Sequence, residues 1–177
     1  MDSNPALKVK LPKAQSHDLG KQPFSGEQIA LILKRMVDDL RVEFQWLIKL
    51  MAYHGCRSGE IADLRCKDVT VVRNIHVMRI YGEIKNPESR RDVPLHPKIR
   101  ADFLAYVAKV AKKGEFVFQD LPIWKGGRES KFQKDCNLWL RKIGIEDRKL
   151  TLHSFRHAWI TQSCGATIRM RLGRQSG

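Results

Sequence analysis

Apolar residues recur at helical spacing over most of the chain. The first run has apolar side chains three or four positions apart, at Ile29, Ile32, Leu33 and Met36. Ser25 and Gln28 stand before this run at the spacing of a capping box, which predicts a helix that begins at Ser25. The same criteria predict further helices over 41–54, over a short segment capped by Ser58, over 97–113, from a cap at Ser130 to a stop at Gly144, and over 152–163.

The hydrophobic period shortens to two residues in the middle of the chain. Three runs rich in β-branched residues predict strands, at 69–72, 75–81 and 92–95. Arg73 and Asn74 form a short turn between the first two runs, and residues 82–90 form a polar turn before the third. The simplest arrangement is a small three-stranded antiparallel sheet within a mostly helical α+β domain.

Residues 1–24 differ in composition from the rest of the chain. Prolines, a glycine and four lysines punctuate this segment, at Pro5, Lys8, Lys10, Pro12, Lys13, Gly20, Lys21 and Pro23. Such a composition is typical of a linker. The remaining residues, 25–177, suffice for one domain with its own core, and the 42% hydrophobic content favours a folded protein.

The charge balance is strongly basic and uneven. Lysine and arginine total 33 against 19 aspartates and glutamates, which gives a formal charge of +14. No acidic residue follows Asp147, whereas several arginines do. A surplus of this size indicates a polyanionic partner, most commonly nucleic acid. The alternative is a basic protein whose charge serves only its solubility, with a solvated basic tail.

The cysteines and histidines lack the spacing of a metal site. Four cysteines, at positions 56, 66, 136 and 164, form no Cys-x-x-Cys pair. The first residues have no apolar core of a secretory leader, and no apolar run is long enough to span a bilayer. We therefore expect a cytoplasmic protein with reduced thiols, no metal, no small-molecule cofactor and no membrane partner.

Four cationic or proton-transferring residues are the candidates for a catalytic role. His153 and Arg156 are three residues apart, so a helix places them on one face, where an imidazole and a guanidinium could serve a phosphate. Arg57 lies between two predicted helices, with Glu60 as its orienting partner. Lys85 lies in the polar turn between strands. Each has an ordinary alternative: a helix-surface pair, a loop arginine and a hairpin lysine.

The order of these motifs resembles the catalytic domain of the tyrosine recombinases, or phage integrases, over about Ser25 to Thr161. The entry into that domain is similar to residues 24–28 (FSGEQ). Its first arginine motif resembles residues 53–64 (YHGCRSGEIADL), and the continuation resembles 65–69 (RCKDV). An Arg-x-Val-Pro-Leu run occupies 91–95, and the second arginine motif resembles 154–158 (SFRHA).

This resemblance implies a role for each candidate residue. In such enzymes a tyrosine attacks a DNA phosphate without a metal or cofactor and forms a 3′-phosphotyrosyl link. Arg57 and Arg156 would stabilise the charge on the non-bridging oxygens. Lys85 would protonate the leaving 5′-oxygen, and His153 would assist proton transfer at the attacking oxygen. Glu60 would orient Arg57, and the expected DNA contacts are Arg90, Arg91 and His157.

The chain departs from the family after Arg156. No tyrosine follows it, and the nearest equivalent of a Leu-Gly-His element is Leu172-Gly173-Arg174, several residues too early. The three tyrosines, Tyr53, Tyr81 and Tyr106, all lie upstream, so we assign no nucleophile. We also expect this chain to lack the N-terminal core-binding domain of the family.

We therefore expect a fragment or a prophage remnant of an integrase catalytic domain, bacterial or phage-encoded and nucleoid-associated. It would bind duplex DNA, with other recombinase subunits as further partners, without cleaving alone. The alternative is a non-catalytic DNA-binding regulator of an intact recombinase. An RNA-binding role is less favoured, because paired aromatic residues on adjacent strands are missing.

Overall fold

The computed structural model describes residues 22–80, 90–123 and 127–172, with side chains up to residue 163. Six α-helices are present in these ranges: α1 (Gly26–Asp39), α2 (Val42–His54), α3 (Ser58–Ala62), α4 (Pro97–Val110), α5 (Glu129–Lys142) and α6 (His153–Leu172). Three strands are β1 (Val69–Val72), β2 (Ile75–Ile80) and β3 (Arg91–Pro94), and a 3₁₀ turn over Cys66–Asp68 precedes β1. The predicted α+β class, mostly helical with a three-stranded antiparallel sheet, is confirmed.

The predicted capping box at the start of α1 is present. The Ser25 hydroxyl accepts from the Gln28 backbone N–H at 3.2 Å, and the Gln28 side chain accepts from the Ser25 N–H at 2.9 Å. At the other end of the helix pair, α2 ends at Gly55. This glycine adopts a left-handed conformation with φ 62°, which a residue without a Cβ reaches at low cost.

The sheet is a meander with strand order β1-β2-β3. Arg73 and Asn74 connect β1 to β2 with φ values of 49° and 65°. Two consecutive positive φ values are typical of the tight turn whose twist matches that of a hairpin. In the second pairing Ile80 lies opposite Arg91. That register places Arg91 at the beginning of β3, next to the last residue of β2.

The hydrophobic core surrounds α2, which is buried on several sides. Its buried side chains are Phe44, Trp46, Leu47, Ile48, Leu50, Met51 and His54. Phe44 packs edge-on against Phe132 of α5, and Trp46 packs against Phe103 of α4, with ring centroids 5.0 and 5.2 Å apart. The helix that precedes the Arg57 segment is therefore held from several directions.

Phe24 packs into the core near the point where the described part of the chain begins. Phe24, which the composition assigned to the linker, is buried. Its ring lies 4.8 Å from that of Phe155, and its backbone N–H donates to the Ser154 carbonyl at 3.5 Å. The chain thus enters the domain beside the first turn of α6.

Several predicted helix ends are wrong in detail. Ser58 is the first residue of α3 rather than its cap, and its hydroxyl instead accepts from the Gln133 amide at 2.7 Å. Ser130 lies inside α5, which begins at Glu129. A serine favours a cap only where no better partner is offered, and here tertiary contacts decide. The predicted helix over 97–113 ends at Val110, and the last helix continues to Leu172.

Membrane spans and metal clusters are both lacking among the described residues. No helix in this part of the chain is long and apolar enough to cross a membrane. Within the same ranges, no group of three or more histidines, cysteines, aspartates or glutamates could hold a metal ion.

Candidate functional site: a cluster of arginines around Glu60

The site begins where α2 gives way to α3. Gly55 ends α2, and two residues later Arg57 has an extended backbone, with φ −74° and ψ 149°. Glu60 lies in the first turn of α3, so its carboxylate reaches back to Arg57. It accepts from the Arg57 backbone N–H at 2.9 Å and from the Arg57 Nη1 at 3.0 Å. The Arg57 side chain remains 53% exposed, so about half of it is open to solvent.

Arg91 approaches the same carboxylate from β3. Its Nη1 donates to Glu60 Oε1 at 3.1 Å and its Nη2 to Oε2 at 2.8 Å, the two parallel bonds of a fork on a carboxylate. Nη2 also lies 3.9 Å from the sulfur of the buried Cys56. The hydrogen bonds to Glu60 raise the pKa of the Arg91 guanidinium, which therefore stays charged.

Glu60 is an ionised carboxylate in a largely buried position. Its side chain is only 7% exposed. Burial by itself would raise the pKa of Glu60, but the hydrogen bonds and charges of Arg91 and Arg57 outweigh it, and the pKa is lowered. At the neighbouring Cys56, burial raises the pKa of the thiol to about 11, and the opposing effects of Arg91 and Arg156 are too small to offset it. Cys56 is therefore a neutral, packed thiol.

Arg156 joins the cluster from α6. Its Nη1 donates to the Gly55 carbonyl at 2.6 Å, the carbonyl two residues before Arg57. Burial lowers the pKa of Arg156, and the nearby positive charge of Arg57 lowers it further. The two arginines of the predicted pair therefore meet, although they lie far apart in the sequence. The observation excludes the arrangement in which they face opposite sides of the domain.

Trp159 fixes the distance between α6 and the end of α2. It lies one turn beyond Arg156, and its indole covers Gly55 so closely that a Cβ there would lie 2.7 Å from the ring. Arg156 and Trp159 thus hold the same glycine, one by its carbonyl and the other by its Cα. Sequence reasoning missed Trp159, and its only signal was the three-residue spacing from Arg156.

His153 and His157 occupy the first two turns of α6. Their rings are 5.0 Å apart in an edge-to-face arrangement, and both side chains are partly exposed. The loop before His153 is held by Arg141 of α5, which donates to the carbonyls of Ile145, Asp147 and Leu150. This clamp fixes where α6 begins, and so where its histidines and Arg156 stand.

The remaining predicted site residues lie either at the edge of the described part of the chain or outside it. Arg90 is exposed immediately before β3. Lys85 lies outside the described residues, as do Tyr81 and the Gly173-Arg174 part of the Leu-Gly-Arg element. The roles assigned to Arg90, Lys85 and His157 at DNA stay predictions.

The two described tyrosines are packing residues. Tyr53 stacks on His96 with ring centroids 4.8 Å apart. The Tyr106 hydroxyl donates to the Val117 carbonyl at 3.4 Å, and burial raises the pKa of this phenol. Both rings lie on elements other than α6, which supplies Arg156. The raised pKa of Tyr106 works against the phenolate that a nucleophile requires.

The electrostatics of the cluster suit an anion. Three guanidinium groups, those of Arg57, Arg91 and Arg156, surround one carboxylate, so two positive charges are left over. Arginine forks match the planar arrangement of phosphate oxygens. The cluster can therefore hold a phosphate between Arg57 and Arg156, where both forks are partly open to solvent.

Comparisons with known proteins bear on sequence and fold separately. The sequence model described as the phage integrase family matches residues 23–168. Similar solved structures include XerA recombinase, with a TM-score of 0.59 and 18% identity over 90% of this chain and 56% of that one. A comparison with curated proteins found no match.

Two structures of XerH site-specific recombinase are also similar to this chain. Its pre-cleavage complex with difH substrate gives a TM-score of 0.61 and 19% identity over 81% of this chain and 43% of that one. Its post-cleavage complex with palindromic difH substrate gives a TM-score of 0.59 and 19% identity, over 78% and 41%. The chain therefore spans about half the length of these recombinases or less. The likeness shows a shared fold, that of tyrosine recombinase catalytic domains.

Proposed function

Because the chain belongs to the phage integrase family, we propose that it binds duplex DNA as the catalytic-domain part of a site-specific recombinase. The observation that carries this proposal is the meeting of Arg57 and Arg156 beside Glu60, with Arg156 bonded to the Gly55 carbonyl at 2.6 Å. The formal charge of +14 supports the same partner, since phosphate contacts supply most of non-specific DNA affinity.

In this proposal each residue acts on one phosphodiester. Arg57 and Arg156 donate to its non-bridging oxygens and stabilise the charge that grows on them. Lys85 delivers a proton to the leaving 5′-oxygen, and His153 assists proton transfer at the attacking oxygen. Arg90 and His157 contact the flanking backbone. Other recombinase subunits are further partners, as strand exchange requires two DNA duplexes.

The 177-residue chain, in the same proposal, binds DNA without cleaving it. Arginines and a lysine lower the barrier to phosphoryl transfer but need an attacking oxygen. No tyrosine follows Arg156 in the sequence, and Tyr53 and Tyr106 are engaged in packing. Cleavage in the family would then depend on a nucleophile that these residues do not include.

Salt dependence of DNA binding tests the proposed grip on phosphate. We expect the parent chain to lose affinity steeply as salt rises in gel-shift titrations. Replacing both Arg57 and Arg156 by methionine should reduce the slope of log K against log salt by about 0.9, because the two arginines together neutralise one phosphate. Arg35→Met is the matched control, since Arg35 pairs with Asp39 on α1. An unchanged slope in the double variant, or no binding at low salt, would refute the proposal.

A nicked suicide duplex tests for cleavage. Such a substrate traps a covalent protein–DNA intermediate by losing the strand that would reverse the reaction. The expected result is no protease-sensitive shifted band with the purified chain. A band that maps to Tyr53, Tyr81 or Tyr106 would show that one of these tyrosines is a nucleophile and that the assignment of no nucleophile is wrong.

A further inference from the structure

We propose that Arg91 is a positioning residue, which holds Glu60 and through it sets the Arg57 fork, rather than a DNA contact. This inference rests on the proposed function and changes the role first expected for Arg91. Arg57 and Arg91 differ in how they bind Glu60. Both terminal nitrogens of Arg91 bind Glu60, at 3.1 and 2.8 Å, whereas Arg57 offers Glu60 one side-chain nitrogen and its backbone N–H.

The four hydrogen bonds use the full accepting capacity of the Glu60 carboxylate. Oε1 accepts from Arg57 Nη1 and Arg91 Nη1, and Oε2 accepts from the Arg57 backbone N–H and Arg91 Nη2. An ionised carboxylate has about four lone-pair sites, so none is left over. The plane of the carboxylate is therefore fixed by Arg91, and that plane determines where Arg57 Nη1 must lie.

The charges explain why one arginine would not suffice. Glu60 has a side chain 7% exposed, and a buried carboxylate needs a close countercharge. If Arg57 were its only partner, the pair would be neutral and Arg57 would offer no net charge to a phosphate. Arg91, with a side chain 35% exposed, supplies the countercharge. The positive charge of Arg57, 53% exposed, is then available for DNA.

The backbone places Arg91 for this task. It is the first residue of β3 and pairs with Ile80 at the end of β2. Its Nη2 also reaches the sulfur of the buried Cys56 at 3.9 Å. Arg91 thus connects the sheet to the segment between α2 and α3. A lysine would retain the charge but lose the fork, because its single ammonium cannot bind both oxygens in parallel.

Hydrogen exchange tests the positioning without DNA. The Arg57 amide donates to Glu60 Oε2, so loosening of Glu60 should expose it. We expect its exchange in Arg91→Lys to be about tenfold faster than in the parent, with the Leu50 amide in buried α2 unchanged. Arg79→Lys is the matched control, because Arg79 pairs across the same two strands with Asp92 at 3.5 Å. Equal exchange of the Arg57 amide in parent and Arg91→Lys would overturn the proposal.

A double-variant cycle in duplex binding tests the consequence for DNA. Arg91→Lys should weaken binding about tenfold in the parent background, but less than twofold when Arg57 is already methionine. The control Arg79→Lys should change binding less than twofold. An equal cost of Arg91→Lys in both backgrounds would make Arg91 an independent DNA contact and overturn the proposal. If the parent chain binds no duplex at all, the proposed function fails, and the amide exchange still decides the role of Arg91.

A measurement on the parent protein covers the case in which Arg91→Lys does not fold. Guanidinium resonances of the arginines can be followed by NMR as duplex is added. We expect the Arg57 signals to shift and those of Arg91 to keep their DNA-free positions. A shift of the Arg91 signals as large as that of Arg57 would show direct contact with DNA, against the proposal.

Discussion

Gly55 is the residue that sets the positions of Arg57 and Arg156 relative to each other. Its left-handed backbone turns the chain from α2 towards Arg57, its carbonyl receives Arg156, and its bare Cα admits the indole of Trp159. A side chain at position 55 would interfere with each of these three roles. The glycine therefore serves packing and site geometry at the same time.

Gly55→Ala should destabilise the protein by about 2 to 4 kcal/mol. An alanine is strained at φ 62°, and its Cβ would lie 2.7 Å from the Trp159 ring, so the ring must move. Urea unfolding measures this loss, with a fall in melting temperature of roughly 5 °C or more. Adding Trp159→Ala should remove the clash but leave the backbone strain.

Gly26→Ala is the matched control for that substitution. Gly26 begins α1, and no atom lies within 4 Å of the position its Cβ would take. Alanine is the better helix former, so the free energy of unfolding should stay the same or rise by about 0.5 kcal/mol. If Gly26→Ala and Gly55→Ala had equal effects, the special role of Gly55 would be disproved.

At this scale, sequence predicts local contacts but not distant ones. The Arg57–Glu60 pair follows from a three-residue spacing at a helix start, and the structure contains it. The Arg91–Glu60 fork does not follow from any spacing, because it depends on the strand register that sets Arg91 opposite Ile80. The same holds for Trp159 on Gly55, which requires α6 to pack against the end of α2.

At the scale of elements, His54 joins α2 to α4. The imidazole Nδ1 lies 3.2 Å from the Leu50 carbonyl, and Nε2 accepts from the His96 backbone N–H at 3.0 Å. His96 is the residue that caps α4. These two contacts require a neutral ring with its proton on Nδ1. Burial lowers the pKa of His54 to about 4, with a smaller lowering from His96.

These two contacts of His54 should make the stability of the fold sensitive to acid. His54 binds a proton more readily in the unfolded chain, near pH 6.5, than in the fold, near pH 4. Its contribution is complete above pH 6.5 and is lost as pH falls towards 4, so unfolding should cost roughly 2 kcal/mol less at pH 5 than at pH 7. Urea titrations at the two pH values measure the difference.

The control for the acid effect is a histidine elsewhere in the fold. His54→Gln should flatten the dependence of the free energy of unfolding between pH 7 and 5, whatever its effect at pH 7. His76→Gln, on β2, should leave that dependence as it is in the parent. A parent protein equally stable at both pH values would contradict the role given to His54.

The predicted elements succeed where the pattern is long and fail at their ends. The strands emerge because a period of two is hard to confuse with a helix, and the tight Arg73-Asn74 turn has the positive φ values that a hairpin requires. Ser58 and Ser130 mislead because a serine hydroxyl has other partners in a folded protein, as Gln133 shows for Ser58. Such partners are invisible in the sequence.

At the scale of the whole molecule, the site is assembled from three separate segments. Gly55 to Glu60, the start of β3, and the first two turns of α6 supply its side chains. The Arg141 clamp on the loop before α6 holds the third segment against the others. The fold class and the proximity of Arg57 and Arg156 were predictable because the order of motifs resembles a known family. The role of Arg91 was not, because it depends on contacts between the sheet and the segment between α2 and α3.

The anchoring of Phe24 fixes where the chain enters the domain, beside the helix that carries Arg156. Residues 1–21 are covalently linked to the domain at this anchored point. We expect this link to raise the effective concentration of Lys8, Lys10, Lys13 and Lys21 near a bound duplex. Deleting residues 1–21 should weaken duplex binding and lower the salt slope by about 0.9 for each phosphate that these lysines neutralise, with the melting temperature unchanged. An identical slope after the deletion would mean that residues 1–21 bring no charge to DNA.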